Sequence, residues 1–253
     1  MSDFVIDEGL VRSLLREQHP DLADQDLRPG ATGVRIGEPS ARFPWPWTMA
    51  TWVPGEPGDR APISQDGHAA GTLAGFLSAL HLNAPAEAPS NPMRGVPFRT
   101  LTHEFGTKFH AIASSSVAAD VRDVWDQAVS APDWPGPLVW LHGDLHPANV
   151  VVSDGTLSGV IDFGELCAGD PATDLAAAWL LLPAGAAARF FDAYENADEA
   201  MIRRARGWAV LDGLSLIGIG QAWERGLPGG QPTWGPAGRR TLDRVLSFSF
   251  RPQ

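Results

Sequence analysis

Cysteine and lysine are each used once in this 253-residue chain, and it has no long unbroken apolar run. The lone Cys167 cannot form an internal disulfide, which fits a reducing compartment. Lys108 is the only lysine, and arginine supplies the other basic side chains. The formal net charge of -11 disfavours nucleic-acid partners, whose phosphates reward clustered cations. The most apolar stretch, "LAAAWLLLPAGAAA", is too short for a bilayer and is interrupted by Pro183 and Gly185. The opening "MSDFVIDEGL" lacks the basic flank and apolar centre of a signal peptide. The expectation is a soluble, cytoplasmic protein with no membrane partner. Nucleotide-loop motifs are missing too. "EFGTKF" has Phe109 after its lysine and no glycine at P-loop distance, and "GIGQAWERG" lacks the third glycine of a dinucleotide loop. No G-x-S-x-G nucleophile elbow occurs.

What is present is an ordinary globular balance, 44% hydrophobic and 19% charged. Leu10, Leu14 and Leu15 predict a short amphipathic helix over 7–18, ended at His19-Pro20. Residues 28–47 read as loop, rich in glycine and proline, and "TMATWV" at 48–53 as a strand stopped by "PGEPGD". That stop divides the chain into 1–53 and 54–253. Helical periodicity follows at 65–82 and about 114–129. "PLVWLH" reads as a strand, and "NVVV" and "LSGVIDF" as hairpin arms around an Asp154-Gly155 turn. Asp170-Pro171 predicts a helix start, and 185–195, 198–224 and 236–248 are helical. The fold class expected is α+β, a small strand-bearing head before a mainly helical body with an embedded hairpin.

The chemistry concentrates in "VWLHGDLHPANVVVSDGTLSGVIDFGE", residues 139–165. Phosphoryl transfer needs an aligned hydroxyl and neutralised phosphate charge, and Mg²⁺ takes hard oxygen ligands for that purpose. Asp144 in a loop can orient or deprotonate the hydroxyl. Asn149 five residues on, and Asp162 at the hairpin's end, can hold the metal. His142, Asp144 and His146 form H-x-D-x-H, but no nearby His or Cys completes a closed zinc set. Asp170 and Asp174 read as a helix cap and a helix-packing partner, and Cys167 as a small packed residue.

"HGDLHPAN" followed by "GVIDFGELCAGDPATDLA" resembles the aminoglycoside and macrolide phosphotransferases, relatives of choline kinase and the protein-kinase fold. The resemblance covers about 45–225 and implies ATP and Mg²⁺ as cofactors, Asp144 as catalytic base, and Asn149 and Asp162 as metal ligands. His142 and Gly143 match loop-shaping positions, and "TWVPGEP" resembles the hinge that meets adenine, which makes Thr51 and Val53 candidates. The implied partner is a small molecule carrying a hydroxyl, an antibiotic among them. The family's N-terminal lobe has five strands and a phosphate-binding lysine. Five strands with turns need roughly 35 to 45 residues, whereas about twenty separate Leu27 from Thr48, and no lysine precedes Lys108. Losing one preorganised charged donor costs about 10²–10³ in rate. A shortened lobe therefore leaves a second expectation open, a catalytically impaired pseudo-kinase or binding module. An apolar face exposed by the missing strands would favour a homodimer.

Overall fold

A computed structural model describes residues 8–18, 35–49 and 52–248. The chain separates into two compact units, Met1–Pro54 and Gly55–Gln253. Among the described residues of the first, helix α1 (Glu8–Gln18) is followed by strands β1 (Arg35–Gly37) and β2 (Trp47–Met49), paired antiparallel. Leu14 and Leu15 of α1 are buried, as their spacing predicts. The Gln18 side chain closes on Glu38, donating to its carbonyl (2.9 Å) and accepting from its N–H (2.7 Å). The strand expected at 48–53 starts one residue earlier, at Trp47, and does not include Trp52 or Val53, with residues 50–51 outside the described residues, and β1 falls in a stretch read as loop. Its partner Trp47 stands after two prolines, so alternation is hidden by turn residues. The Phe43 and Trp45 rings of "FPWPW" meet edge to face, 5.3 Å apart, and Trp45 stays exposed.

The second unit is mainly helical. Its order is β3 (Glu56–Pro57), α2 (Asp66–Leu80), α3 (Thr102–Phe109), α4 (Ala118–Ser130), β4 (Val139–Leu141), β5 (Val150–Ser153), β6 (Thr156–Val160), β7 (Cys167–Gly169), α5 (Ala172–Leu175), α6 (Ala177–Leu180), α7 (Ala186–Tyr194), α8 (Glu199–Glu224) and α9 (Trp234–Ser247). The 26-residue α8 is the central post, with α3, α4, α5 and α9 packed along it. Asp198 caps it by accepting from the Met201 N–H at 2.7 Å. Phe98 wedges between Trp125 of α4 and Trp208 of α8, centroids 5.1 and 5.2 Å away, and Phe105 of α3 stacks on Trp125 at 4.2 Å. Each such buried ring contributes about 1.5–3 kcal/mol. No helix among the described residues is long and apolar enough to cross a membrane.

β5 and β6 form the expected hairpin. Asp154 (φ 51°) and Gly155 (φ 76°) both take positive φ, as a two-residue turn with the right twist requires. β3 adds a third strand at the β5 edge. β4 pairs instead with β7, forming a separate ladder just before the α5 turn. The helix opened by Asp170-Pro171 is interrupted between α5 and α6, while the Asp170 carboxylate still accepts from the Ala172 N–H at 3.0 Å.

Candidate active site

The loop from His142 to Asn149 leaves β4 and is clamped from three sides. His142 is buried with both ring nitrogens engaged: Nε2 donates to the Ile161 carbonyl (2.9 Å), and Nδ1 accepts from the Asp144 N–H (3.3 Å). Both nitrogens are engaged, so H-x-D-x-H offers no zinc ligand at His142. Gly143 turns the chain at φ +80°, where a Cβ would meet the Glu165 carbonyl at 2.7 Å. From α5, buried Asp174 accepts from the backbone N–H groups of His142 (2.7 Å) and Gly143 (2.9 Å). A chain of polar groups stands behind that carboxylate. Burial pushes the Tyr194 hydroxyl up to about 12; its oxygen lies 2.7 Å from His81 Nδ1, and His81 Nε2 lies 3.3 Å from Asp174 Oδ2. Asp174, read from the sequence as a helix-packing residue, in fact organises the loop backbone.

The third clamp is Arg94, which the sequence reading missed. Its Nε donates to the Gly143 carbonyl, and its Nη2 reaches Asp144 Oδ1 at 3.3 Å. No helical or strand period marks Arg94. Its loop is placed by the close approach of Gly95 to Gly169, where a Cβ on Gly95 would lie 2.6 Å from the Gly169 Cα. The Gly95 N–H also donates to the Thr173 hydroxyl (3.1 Å), and its carbonyl accepts from the Asp170 N–H (3.1 Å). The "GDPATD" turn therefore positions both Arg94 and the loop that Arg94 grips.

Asp144 sits half-buried at the centre. Burial alone would raise its pKa, but His146 (Nε2 to Oδ2, 3.4 Å) and Arg94 hold it below the ordinary carboxylate value. Asn149, at the end of a single turn begun by His146-Pro147, donates its amide to the Asp144 carbonyl (3.0 Å) and to Oδ2 (3.1 Å). The Asn149 carbonyl accepts from the Ile161 N–H (3.0 Å), which brings the loop's end beside the residue preceding Asp162. Asp162 is exposed in the left-handed region (φ 62°, ψ 68°), and its Oδ1 accepts from the Gly164 N–H at 3.3 Å.

Two of the three central residues are therefore in direct contact, and the third is joined to them through the hairpin mouth. The donor set suits Mg²⁺. Asn149 Oδ1 accepts no hydrogen bond among the described residues, and the Asp162 carboxylate faces solvent. A carboxylate and an amide oxygen are the hard ligands this ion takes alongside phosphates and water. Among the described residues no group of three or more His, Cys, Asp or Glu is arranged for a metal. Thr51 lies outside the described residues. Val53 is part-buried in the first unit and belongs to no strand. Cys167 is buried, and desolvation pushes its thiol up to about 11, so it is no nucleophile at neutral pH.

Beside Asp144 opens a cavity of about 450 Å³, bounded by Arg94, Lys108, Glu165, Asp212 and Trp234 among others. Trp234 packs on His146 with centroids 4.6 Å apart. Lys108 is engaged by Glu104 at 3.0 Å on α3.

A small strand-bearing unit, a helical body, and an Asp–Asn loop feeding a hairpin that ends in a second Asp define the kinase-like α+β class, here with a reduced N-terminal lobe. Solved structures share that fold. The GDP and kanamycin complex of an APH(2'') enzyme superposes with a TM-score of 0.52 at 19% identity, covering 96% of this chain and 84% of that one. Macrolide 2'-phosphotransferase type I gives 0.52 at 18%, covering 93% and 77%. The Bacillus subtilis (strain 168) protein YcbJ, itself uncharacterized, is 27% identical over 131 residues, 50% of this chain and 42% of that protein. The chain thus matches less than half of that relative's length. Residues 16–214 match the phosphotransferase enzyme family, APH, and the chain belongs to it.

Proposed function

We propose that this chain is a small-molecule kinase that transfers the γ-phosphoryl group of ATP, with Mg²⁺, to an alcohol bound beside Asp144. The observation that carries the reading is the Asp144 carboxylate, fixed by Arg94 and Asn149 at the wall of a 450 Å³ cavity. Asn149 Oδ1 and the Asp162 carboxylate would hold Mg²⁺, which when bound neutralises phosphate charge. The chain's own residues do the rest. Asp144, ionised at neutral pH because His146 and Arg94 outweigh its burial, accepts a hydrogen bond from the incoming hydroxyl. Its low basicity makes alignment its main contribution, with the proton passing to it as the new O–P bond forms. Asp174 and Arg94 keep the loop backbone from moving away from that geometry. The aminoglycoside and macrolide relatives point to antibiotics as one source of acceptors.

ADP release from Mg-ATP, measured against a panel of aminoglycosides, macrolides and amino alcohols, tests this reading. At least one acceptor should turn over, and Asp144→Asn should lower its rate by about 10²–10⁴. Turnover undiminished in that variant contradicts the role of Asp144. One observation favours a second reading, a binding module without catalysis: the only lysine is Lys108, held by Glu104 in the helical unit. Absence of turnover together with retained binding of an acceptor would select it.

A further inference from the structure

A second cavity, of about 660 Å³, opens in the helical unit and shares no lining residue with the one beside Asp144. The catalytic loop and the start of α9 serve both: His146 and Trp234 border the Asp144 cavity, whereas Pro147 and Ala237 border this one. Hydrogen bonds fix its walls. The Gly58 N–H donates to the Val150 carbonyl (2.9 Å) and the Thr233 hydroxyl to Asp59 Oδ2 (2.7 Å). Arg244 Nη1 donates to the carbonyls of Trp179 (3.0 Å) and Leu180 (3.3 Å), closing the end of α6. The space is therefore preformed, and it falls within the roughly 300–1,000 Å³ of small-ligand pockets. Ile63, Val150, Leu180 and Leu181 make its apolar lining.

α9 gives this cavity one stripe, Ala237, Arg240 and Arg244, at helical spacing. Exposed Arg240 has no hydrogen bond or ion pair among the described residues, and neither do Nε and Nη2 of part-buried Arg244. Like charges one turn apart oppose each other. Burial pushes the Arg244 pKa down, and Arg240 opposes its charge more than the exposed Asp243 supports it. Asp59, the other carboxylate of the lining, is not among the groups acting on Arg244 and is engaged by Thr233. We propose that this cavity is a second ligand site, for a small organic acid whose single carboxylate sits at Arg240 and Arg244 and whose apolar body lies against Ile63, Leu180 and Leu181. Two guanidinium groups against Asp243 leave one positive charge to balance, and their planar forks match a carboxylate. Asp59 repels a second anionic group from its own wall. A bare anion would leave the apolar lining in water, so the body contributes binding of its own. The inference is independent of the phosphotransferase reading, because no residue of this lining belongs to the Asp144 cavity.

Calorimetry on the full chain at pH 7.5, without nucleotide, tests this with three probes: 4-phenylbutanoate, its matched cation 4-phenylbutylammonium, and acetate as the head without the body. The acid should bind one per chain and about 10-fold or more tighter than acetate. Arg240→Gln should weaken it by about 10- to 100-fold, the scale of one charge-assisted contact. Ala184→Trp places a ring at the exposed edge of the lining and should block the acid while leaving both arginines in place. Arg240 and Ala184 are both exposed, so each variant should keep the wild-type Tm, and either one alone decides the matter if the other fails to fold. No binding of the acid, acetate binding as tightly as the acid, or acid binding that survives both substitutions overturns the inference. So does ammonium binding that Ala184→Trp abolishes. ATP turnover bears on none of these outcomes, so the kinase reading and this site fail separately.

Discussion

Replacing Asp174 by asparagine perturbs the loop without touching the cavity. The wild-type carboxylate receives two backbone N–H groups, from His142 at 2.7 Å and Gly143 at 2.9 Å, with only 1% of the residue exposed. Asparagine keeps one acceptor oxygen and turns an NH₂ toward the other amide. One charge-assisted bond is lost, and one buried N–H is left without a partner. Together these cost about 2–4 kcal/mol. For a unit of this size that lowers Tm by roughly 5–15 °C. Urea unfolding supplies the free energy, and amide hydrogen exchange supplies the location: His142 and Gly143 should exchange faster while the α8 core keeps its protection. A loss below about 1 kcal/mol, with unchanged exchange at those two amides, would refute the claim that Asp174 holds the loop.

Other outcomes follow from the same geometry. Arg204 of α8 is buried against Asp170 (Nε to Oδ2, 2.6 Å) and also donates to the Pro132 carbonyl. Arg204→Ala strands the Asp170 charge and should destabilise by about 3–5 kcal/mol in urea unfolding. Restoring stability with Arg204→Ala/Asp170→Ala would confirm that the stranded charge is the cause. Asp212 gives a pH signature. Its folded pKa of about 6 lies above the ordinary value of 3.8, so the folded state holds the extra proton and stability falls as pH rises from about 4 to 6. Asp212→Asn should match wild type near pH 4 and exceed it above pH 6 by about 1–3 kcal/mol, reduced by solvent at the cavity mouth. An unchanged difference across that range would contradict it.

Local chemistry made part of this architecture legible. Asp154-Gly155 announces its hairpin because few dipeptides accept positive φ twice. Leu73 and Leu77 of α2, and Val121, Val124 and Trp125 of α4, announce their helices because a buried face repeats every turn. The neighbours Asp144 and Asn149 are readable for a similar reason, since five residues and one proline-started turn connect them. What was hidden depends on distant pairings. β3 is two residues, one of them proline, and exists only because β5 offers an edge. Arg94 reaches Asp144 because Gly95 and Gly169, 74 positions apart, nearly touch. Asp212 carries no local mark that separates it from Glu199, which pairs with Arg203 on the surface of the same helix. Among the acidic residues of the later helices, Asp198 is consumed as the α8 cap, and Asp212 lines the cavity beside Asp144.

The most direct test of the phosphotransferase account is calorimetric titration of ATP into the wild-type chain and Asp162→Asn, each with and without Mg²⁺. The account predicts ATP binding that Mg²⁺ strengthens in the wild type and that loses its metal dependence in the variant. Wild-type binding that is absent, or indifferent to Mg²⁺, would contradict it.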